Sequence, residues 1–236
     1  MLQLYLKAPF AACRPFVAGA YRPSAPFLTP SAAFGLLFNL AGINMRTEPS
    51  WPELEIAMGT VKLHGSTVLI QQLHNYPIGE TGKEHRERCK GNKYNIQPIR
   101  REILVDLEAW LFVRAEPEIL AVIRDGLLGD SRNQANAQPR YGLPFIGDNN
   151  FLIDRLEERP VSQAIHWFYQ VDLNQVESTE IPPLFRLTIE IDRTSMTKTR
   201  TALFTLSPSA SLSPPVEAWL TLRKEASTEI IKQKCR

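Results

Sequence analysis

Leu2, Leu4 and Leu6 alternate with Gln3, Tyr5 and Lys7, the period-two pattern of a strand with one buried face. Pro9 is expected to end it, and residues 10 to 29, rich in proline and aromatics, to form a long loop. Thr29 then suits a helix N-cap, Pro30 the first helical position and Gly42 the stop, with Phe34, Leu37, Phe38 and Ala41 at core-facing spacing. Gly35 inside that helix predicts a close neighbour, because a helical glycine costs about 1 kcal/mol relative to alanine.

Val61 to Tyr76 reads as a strand, and another runs from Ile99 to Val113. Between them, from Gly79 to Gln97, the chain turns polar and basic, which predicts a long hairpin with an elaborated tip. Pro117 opens a second helix that Gly126 closes, and residues 129 to 140 read as a polar loop. Tyr141 to Ile146 predicts a short strand, and Phe151 to Glu158 one or two helical turns capped by Asp148 or Asn149. Strands follow at Ala164 to Val171, Leu184 to Ile191 and Thr201 to Leu206, while Val216 to Leu222 fits strand and helix equally.

The N-terminal order of strand, helix, strand, strand, helix, strand is the split βαβ order of an α+β, ferredoxin-like (RRM-like) domain. Its sheet is expected to leave one face free of helices, a surface that can bind RNA. We expect residues 1–158 to form this domain and the strand-rich residues 159–236 to complete the fold.

Composition narrows the picture only slightly. The 236 residues are 44% hydrophobic and 22% charged, enough for a sizeable core, and the net charge of +2 gives no overall nucleic-acid signal. Cys13, Cys89 and Cys235 form no C-x-x-C pair, so they read as free thiols in a reducing cytosol. Lys7, Pro9, Arg14 and Pro15 interrupt any secretory signal, and Pro23, Pro26 and Pro30 break the uncharged run 23–45, so we expect a cytoplasmic protein with no membrane partner. His64, His74, His85 and His166 lack metal spacing and no catalytic motif occurs, so no cofactor, metal or catalytic residue is predicted.

Local charge changes the picture more. Lys83, Arg86, Arg88, Lys90, Lys93, Arg100 and Arg101 share a span with only two acids, Glu84 and Glu87, so it carries +5 where the rest of the chain carries −3. Such a tip can neutralise phosphates, and the interleaved His85 and Tyr94 can stack on unpaired bases. The alternative is a solvated loop in which Glu84 and Glu87 pair locally. Upstream, Arg14 and Arg22 sit among Phe10, Phe16, Tyr21 and Phe27, which suits either a stacking and phosphate-clamping surface or a loop packed down by its aromatics. In PFIGDNNF, residues 144 to 151, a glycine turn can present N–H groups to an anion, but Asp148 would repel a phosphate; a capped turn is the simpler reading.

Four blocks in this order, LYLKAPFAACRPF, TPSAAFGLLFNLAGI, IQPIRREILVDLEAWLFV and LPFIGDNNFLIDRLEE, resemble the Cas-five family of type I CRISPR-associated (Cascade) proteins, the last block most closely its DevS-like branch. The resemblance spans Leu2 to about Leu206. It implies a ferredoxin-like domain with a projecting β-hairpin thumb, which maps onto residues 79–98. It also implies a non-catalytic subunit that caps the 5′ handle of the guide RNA (crRNA). Its partners would be a Cas-seven-type backbone subunit and a Cas-eight-type large subunit, with target DNA met indirectly through the complex. PFIGDNN would occupy the family's Gly-rich loop, where many relatives carry a basic residue at the position of Asp148; Asn149 and Asn150 can still read bases or sugars.

On this reading Lys83, His85, Arg86, Arg88, Lys90, Lys93 and Tyr94 grip the handle. Arg14 and Arg22 contact phosphates nearby, and Arg100 and Arg101 line the thumb base. Two alternatives stay open. One branch of the family cleaves precursor RNA without metal, which would call on Tyr76 or Tyr94, Lys83 and His85. The other is a scaffold whose basic loop meets acidic protein rather than RNA.

Overall fold

The computed structural model describes residues 1–15, 21–45, 51–77, 94–128, 143–172, 182–191 and 199–224; of residues 51, 72–77, 94–97, 223 and 224 the backbone alone is described. Within them lie strands β1 (Leu2–Ala11), β2 (Tyr21–Arg22), β3 (Trp51–Thr60), β4 (Ser66–Pro77), β5 (Tyr94–Arg114), β6 (Arg155–Glu158), β7 (His166–Gln170), β8 (Phe185–Glu190), β9 (Arg200–Leu206) and β10 (Leu220–Lys224). The helices are α1 (Pro30–Leu40), α2 (Pro117–Leu128) and a short 3₁₀ turn, Val216–Ala218. The architecture is α+β, with a largely antiparallel sheet.

The sheet runs β6-β1-β5-β3-β7-β9-β8, with β10 added to β3 and with β2 and β4 added to β5. Among β6, β1, β5 and β3 every pairing is antiparallel. α1 lies between β1 and β3 in the chain, and α2 between β5 and β6, so each helix links strands that are not neighbours in the sheet.

The caps of α1 follow from its sequence. Thr29 Oγ1 accepts from the Ala32 amide at 3.3 Å, and Pro30 sits where a missing N–H costs nothing. At the other end Gly42, at φ 71°, lets its own amide reach Asn39 O and the Ile43 amide reach Phe38 O, so the last carbonyls are satisfied. An added Cβ on Gly35 would meet nothing within 4 Å, so that glycine does not serve a close contact. The close contact is at Gly126 in α2, where a Cβ would overlap the Leu40 carbonyl. There the two helices pass backbone against backbone.

Leu2, Leu4, Leu6, Leu111 and Val113 on one sheet face pack with Phe34, Leu37, Phe38 and Ile123 of the helices into one core. The opposite face, expected to be open, is filled. Tyr5, Trp110 and Phe112 pack there with Ile165, Trp167 and Ala218 from the C-terminal part. Phe112 and Trp167 meet edge to face with ring centroids 4.9 Å apart, and the Arg159 guanidinium lies 3.9 Å from the Tyr5 ring centroid. Trp110, Phe112 and Trp167 have no exposure, so this face offers no stacking platform.

Several expected boundaries move. β1 passes through Pro9 because the rung opposite Asp106 is missing, so no ladder bond is lost there. β2 forms within the segment read as a loop. The strand expected at Val61 to Tyr76 starts later, as β4 at Ser66, because residues 61–65 turn; β3, which ends at Thr60, lies before it and was not expected. The strand expected at Tyr141 to Ile146 reduces, within the described residues, to one bridge between Phe145 and Leu152. The helical turns expected at Phe151 to Glu158 are a turn followed by β6, because the open edge of β1 offers main-chain partners to Arg155–Glu158. The polar loop expected at residues 129–140 lies outside the described residues.

Candidate nucleic-acid interface

β5 is 21 residues long and serves two structures. From Trp110 to Arg114 it pairs with β3 in the main sheet; from Tyr94 to Leu104 it pairs with β4 in a hairpin. The handover is held by His64. Its Nε2 lies 2.9 Å from Glu108 O and 3.2 Å from the Glu108 amide nitrogen, bridging the interval where neither β3 nor β4 pairs with β5. Burial pushes the His64 imidazole below its ordinary pKa, against the opposing pull of Glu108.

The hairpin root is tied to the rest of the molecule on both sides. β2 runs parallel to β5, with Tyr21 opposite Arg100 and Arg22 opposite Arg101. Glu102 accepts from the Ser24 amide at 3.1 Å and from Ser66 Oγ at 2.7 Å, so one carboxylate fastens the β2 segment and β4 to β5. Cys13 O accepts from the Ala25 amide, closing the two arms of the segment that carries Arg14 and Arg22. Cys13 is fully buried, and burial pushes its thiol up to about 11, so it is inert there.

The PFIGDNNF turn docks against this root. Gly147 has φ +70°, and a Cβ there would overlap Ala12 O, so only glycine fits. Asp148 Oδ1 accepts from the Asn150 amide at 2.9 Å and from Asn150 Nδ2 at 2.7 Å, a side-chain-capped turn without a helix. Asp148 Oδ2 accepts from Arg101, and from Arg14 Nη2 at 3.4 Å. Arg101 also donates to Gln71 Oε1 at 3.0 Å and faces the Phe151 ring at 5.6 Å. Burial alone would raise the Asp148 carboxyl; the Asn150 amide, Arg101 and Arg14 outweigh it and hold the group below the usual carboxylate range.

The expected site residues are therefore placed as follows. Arg14, Arg101 and Asn150 converge on Asp148, with Asn149 exposed beside them. Arg22 is half-buried next to Arg101, and Arg100 is exposed on the opposite face of the ribbon. Arg101 is 2% exposed, so it is a buried strut. Tyr94 pairs through its backbone with Pro77 at the far end of the hairpin. Lys83, His85, Arg86, Arg88, Lys90 and Lys93 lie outside the described residues. Asp148 was legible as a cap but not as a counter-ion, because its partners lie 47 and 134 positions away.

Two guanidiniums on one carboxylate leave an excess positive charge, and its outer member, Arg14, has a side chain 53% exposed. With Arg100 also exposed, the junction can attract a polyanion. Among the described residues no cluster of His, Cys, Asp or Glu could hold a metal, and no helix is long and apolar enough to cross a membrane.

No protein-family model matches the chain, and neither does any curated protein sequence. Among solved structures it is similar to a chain described as "CRISPR RNA-guided surveillance complex", with TM-score 0.56 and 17% identity over 89% of this chain and 90% of that one. A second, described as "Crystal structure of Cas protein", gives TM-score 0.41 and 13% identity over 89% and 93%. The first likeness establishes a shared fold along nearly the whole of both chains.

Proposed function

We propose that this chain is a non-catalytic, guide-RNA-binding subunit of a type I CRISPR surveillance complex, of the Cas-five, DevS-like kind, which caps the crRNA 5′ handle. The carrying observation is the β4–β5 ladder. It starts at a cationic junction and ends at the Pro77–Tyr94 pair, so residues 78–93, with their cluster of lysines and arginines, are joined to its far end. A fold shared with a surveillance-complex chain supports the same reading.

In this reading the sheet order β6-β1-β5-β3, with its two helical crossovers, is the ferredoxin-like core, and residues 79–98 are the thumb. Residues 1–158 hold the RNA-binding part and 159–236 complete it. Lys83, His85, Arg86, Arg88, Lys90, Lys93 and Tyr94 grip the handle, while Arg14, Arg22, Arg100, Asn149 and Asn150 contact RNA at the root. Arg101 acts through Asp148 to hold the root in shape. The neighbours are a Cas-seven-type backbone subunit and a Cas-eight-type large subunit, in the cytoplasm.

The test is a titration of the protein against end-labelled guide RNA in EDTA, with a parallel denaturing gel. Intact RNA, bound only when the 5′ handle is present, is the expected result. A discrete shorter product would overturn the non-catalytic reading in favour of metal-independent cleavage. Tyr76 and Tyr94, on adjacent rungs of the ladder, would then be the first residues to replace. Failure to bind at low salt would favour a protein scaffold.

A further inference from the structure

Among the described residues β4 is an edge strand, and from Ser66 to Leu73, before its register shift and Pro77, it lacks the usual protection. Among the described residues β5 is its only partner strand, and the pairing holds one register from Ser66↔Leu104 to Leu73↔Gln97 before it shifts. Natural edges are blunted by lysine, proline, bulges or short length. From Ser66 to Leu73 β4 has no charged residue and no proline. Beside the polar Ser66 it exposes two apolar, β-branched side chains on one face: Val68 is 51% exposed and Ile70 73%.

The register extends this surface. Ile70 stands opposite Arg100, which stands opposite Tyr21, so the three form one row across three strands, all exposed. We propose that the outer edge of β4 takes up an extended segment of a partner protein by strand addition. The partner's β-branched side chains would lie beside Val68 and Ile70, and a carboxylate would meet Arg100. The chemistry favours protein over RNA here. Unpaired main-chain N–H and C=O groups are matched by another main chain. β4 itself holds no lysine or arginine for a phosphate. Arg100 is shared with the RNA reading and meets either the carboxylate or a phosphate, whereas the main-chain pairing along Ser66–Leu73 stands apart from it.

The probe is a synthetic peptide as long as the paired stretch, blocked at both ends, alternating valine with threonine and carrying one glutamate. We expect the wild-type chain to bind it. The same peptide N-methylated at alternate residues, which cannot donate main-chain hydrogen bonds, should bind about tenfold more weakly or worse. Val68→Lys with Ile70→Lys should weaken binding as much, and Arg100→Glu should favour a peptide with lysine in place of glutamate. The N-methyl comparison uses the wild-type chain, so it holds even where a variant folds poorly. No binding, or equal binding of the N-methylated peptide, overturns the proposal. So does a dimer in sedimentation that Ile70→Lys dissolves, which would make a second copy the occupant. Guide-RNA affinity lost in the β4 variants, with no peptide bound, would assign the face to RNA.

Discussion

Arg101 and Asp148, 47 positions apart, form an ion pair buried on both sides, with relative exposures of 2% and 6%. The pair fastens the PFIGDNNF turn to the root of the β4–β5 hairpin. Asp148→Asn leaves the Arg101 guanidinium buried without a counter-charge, and the expected loss is about 3–5 kcal/mol by urea unfolding. Replacing both residues by apolar side chains of similar volume should cost far less or nothing. A mild loss in the single variant would show that Arg101 reaches water.

Asp148 also sets an acid limit. Its carboxyl is held below the usual range when folded, so the unfolded chain binds the extra proton. Its contribution is complete above the unfolded value of about 3.9 and is lost as pH falls through the lowered folded value. Unfolding free energy measured across this window should fall less steeply in Asp148→Asn than in the wild type.

His64 gives a separate signature near neutrality. Burial lowers its folded pKa, so the unfolded chain again binds the proton first. Stability is complete above about 6.5 and declines as pH drops below it towards the folded value. His64→Gln should flatten that slope in chemical denaturation carried from neutral pH downwards. An unchanged slope would assign it to another group.

Gly35 and Gly126 make opposed predictions. Gly35→Ala adds a methyl into open space inside α1 and should stabilise by about 0.5–1 kcal/mol. Gly126→Ala forces a methyl onto the Leu40 carbonyl and should destabilise by about 1–3 kcal/mol as the helices separate. Thermal melts of the two variants decide both.

These contrasts show which features the chain reveals by itself. α1 was legible because Thr29, Pro30 and Gly42 satisfy its ends locally and its apolar spacing repeats every turn. β3 was overlooked although Leu54, Ile56 and Met58 alternate; Pro52, Glu53 and Glu55 dilute the run, and pairing with β5 overrides that composition. β6 was read as helix because a short mixed segment has no period of its own, and the open edge of β1 decides its state. At the interface the cations were visible, since charge is a property of composition. The partner of Arg101 was not, because nothing local marks a carboxylate 47 positions on as its counter-ion. Nor was the covered sheet face, which depends on Trp167 returning over Trp110 and Phe112 from the far end of the chain.

Salt dependence separates the root cations from one another. Arg14 and Arg100 are exposed, whereas Arg101 is spent on Asp148. A side chain that neutralises a phosphate releases a counter-ion, so its loss lowers the slope of log affinity against log salt by roughly 0.7 per contact on single strands. Replacing Arg14 and Arg100 together by glutamine should therefore reduce the slope for guide RNA by roughly 1–2 while leaving the melting temperature nearly unchanged. Arg101→Gln should do the reverse, lowering stability and affecting the slope only through a loosened root. Equal slopes in wild type and the double variant would remove the root from the RNA path and leave the basic run from Lys83 to Lys93 to carry the whole electrostatic term. A slope lost equally in both variants would mean that Asp148 releases Arg101 when RNA arrives.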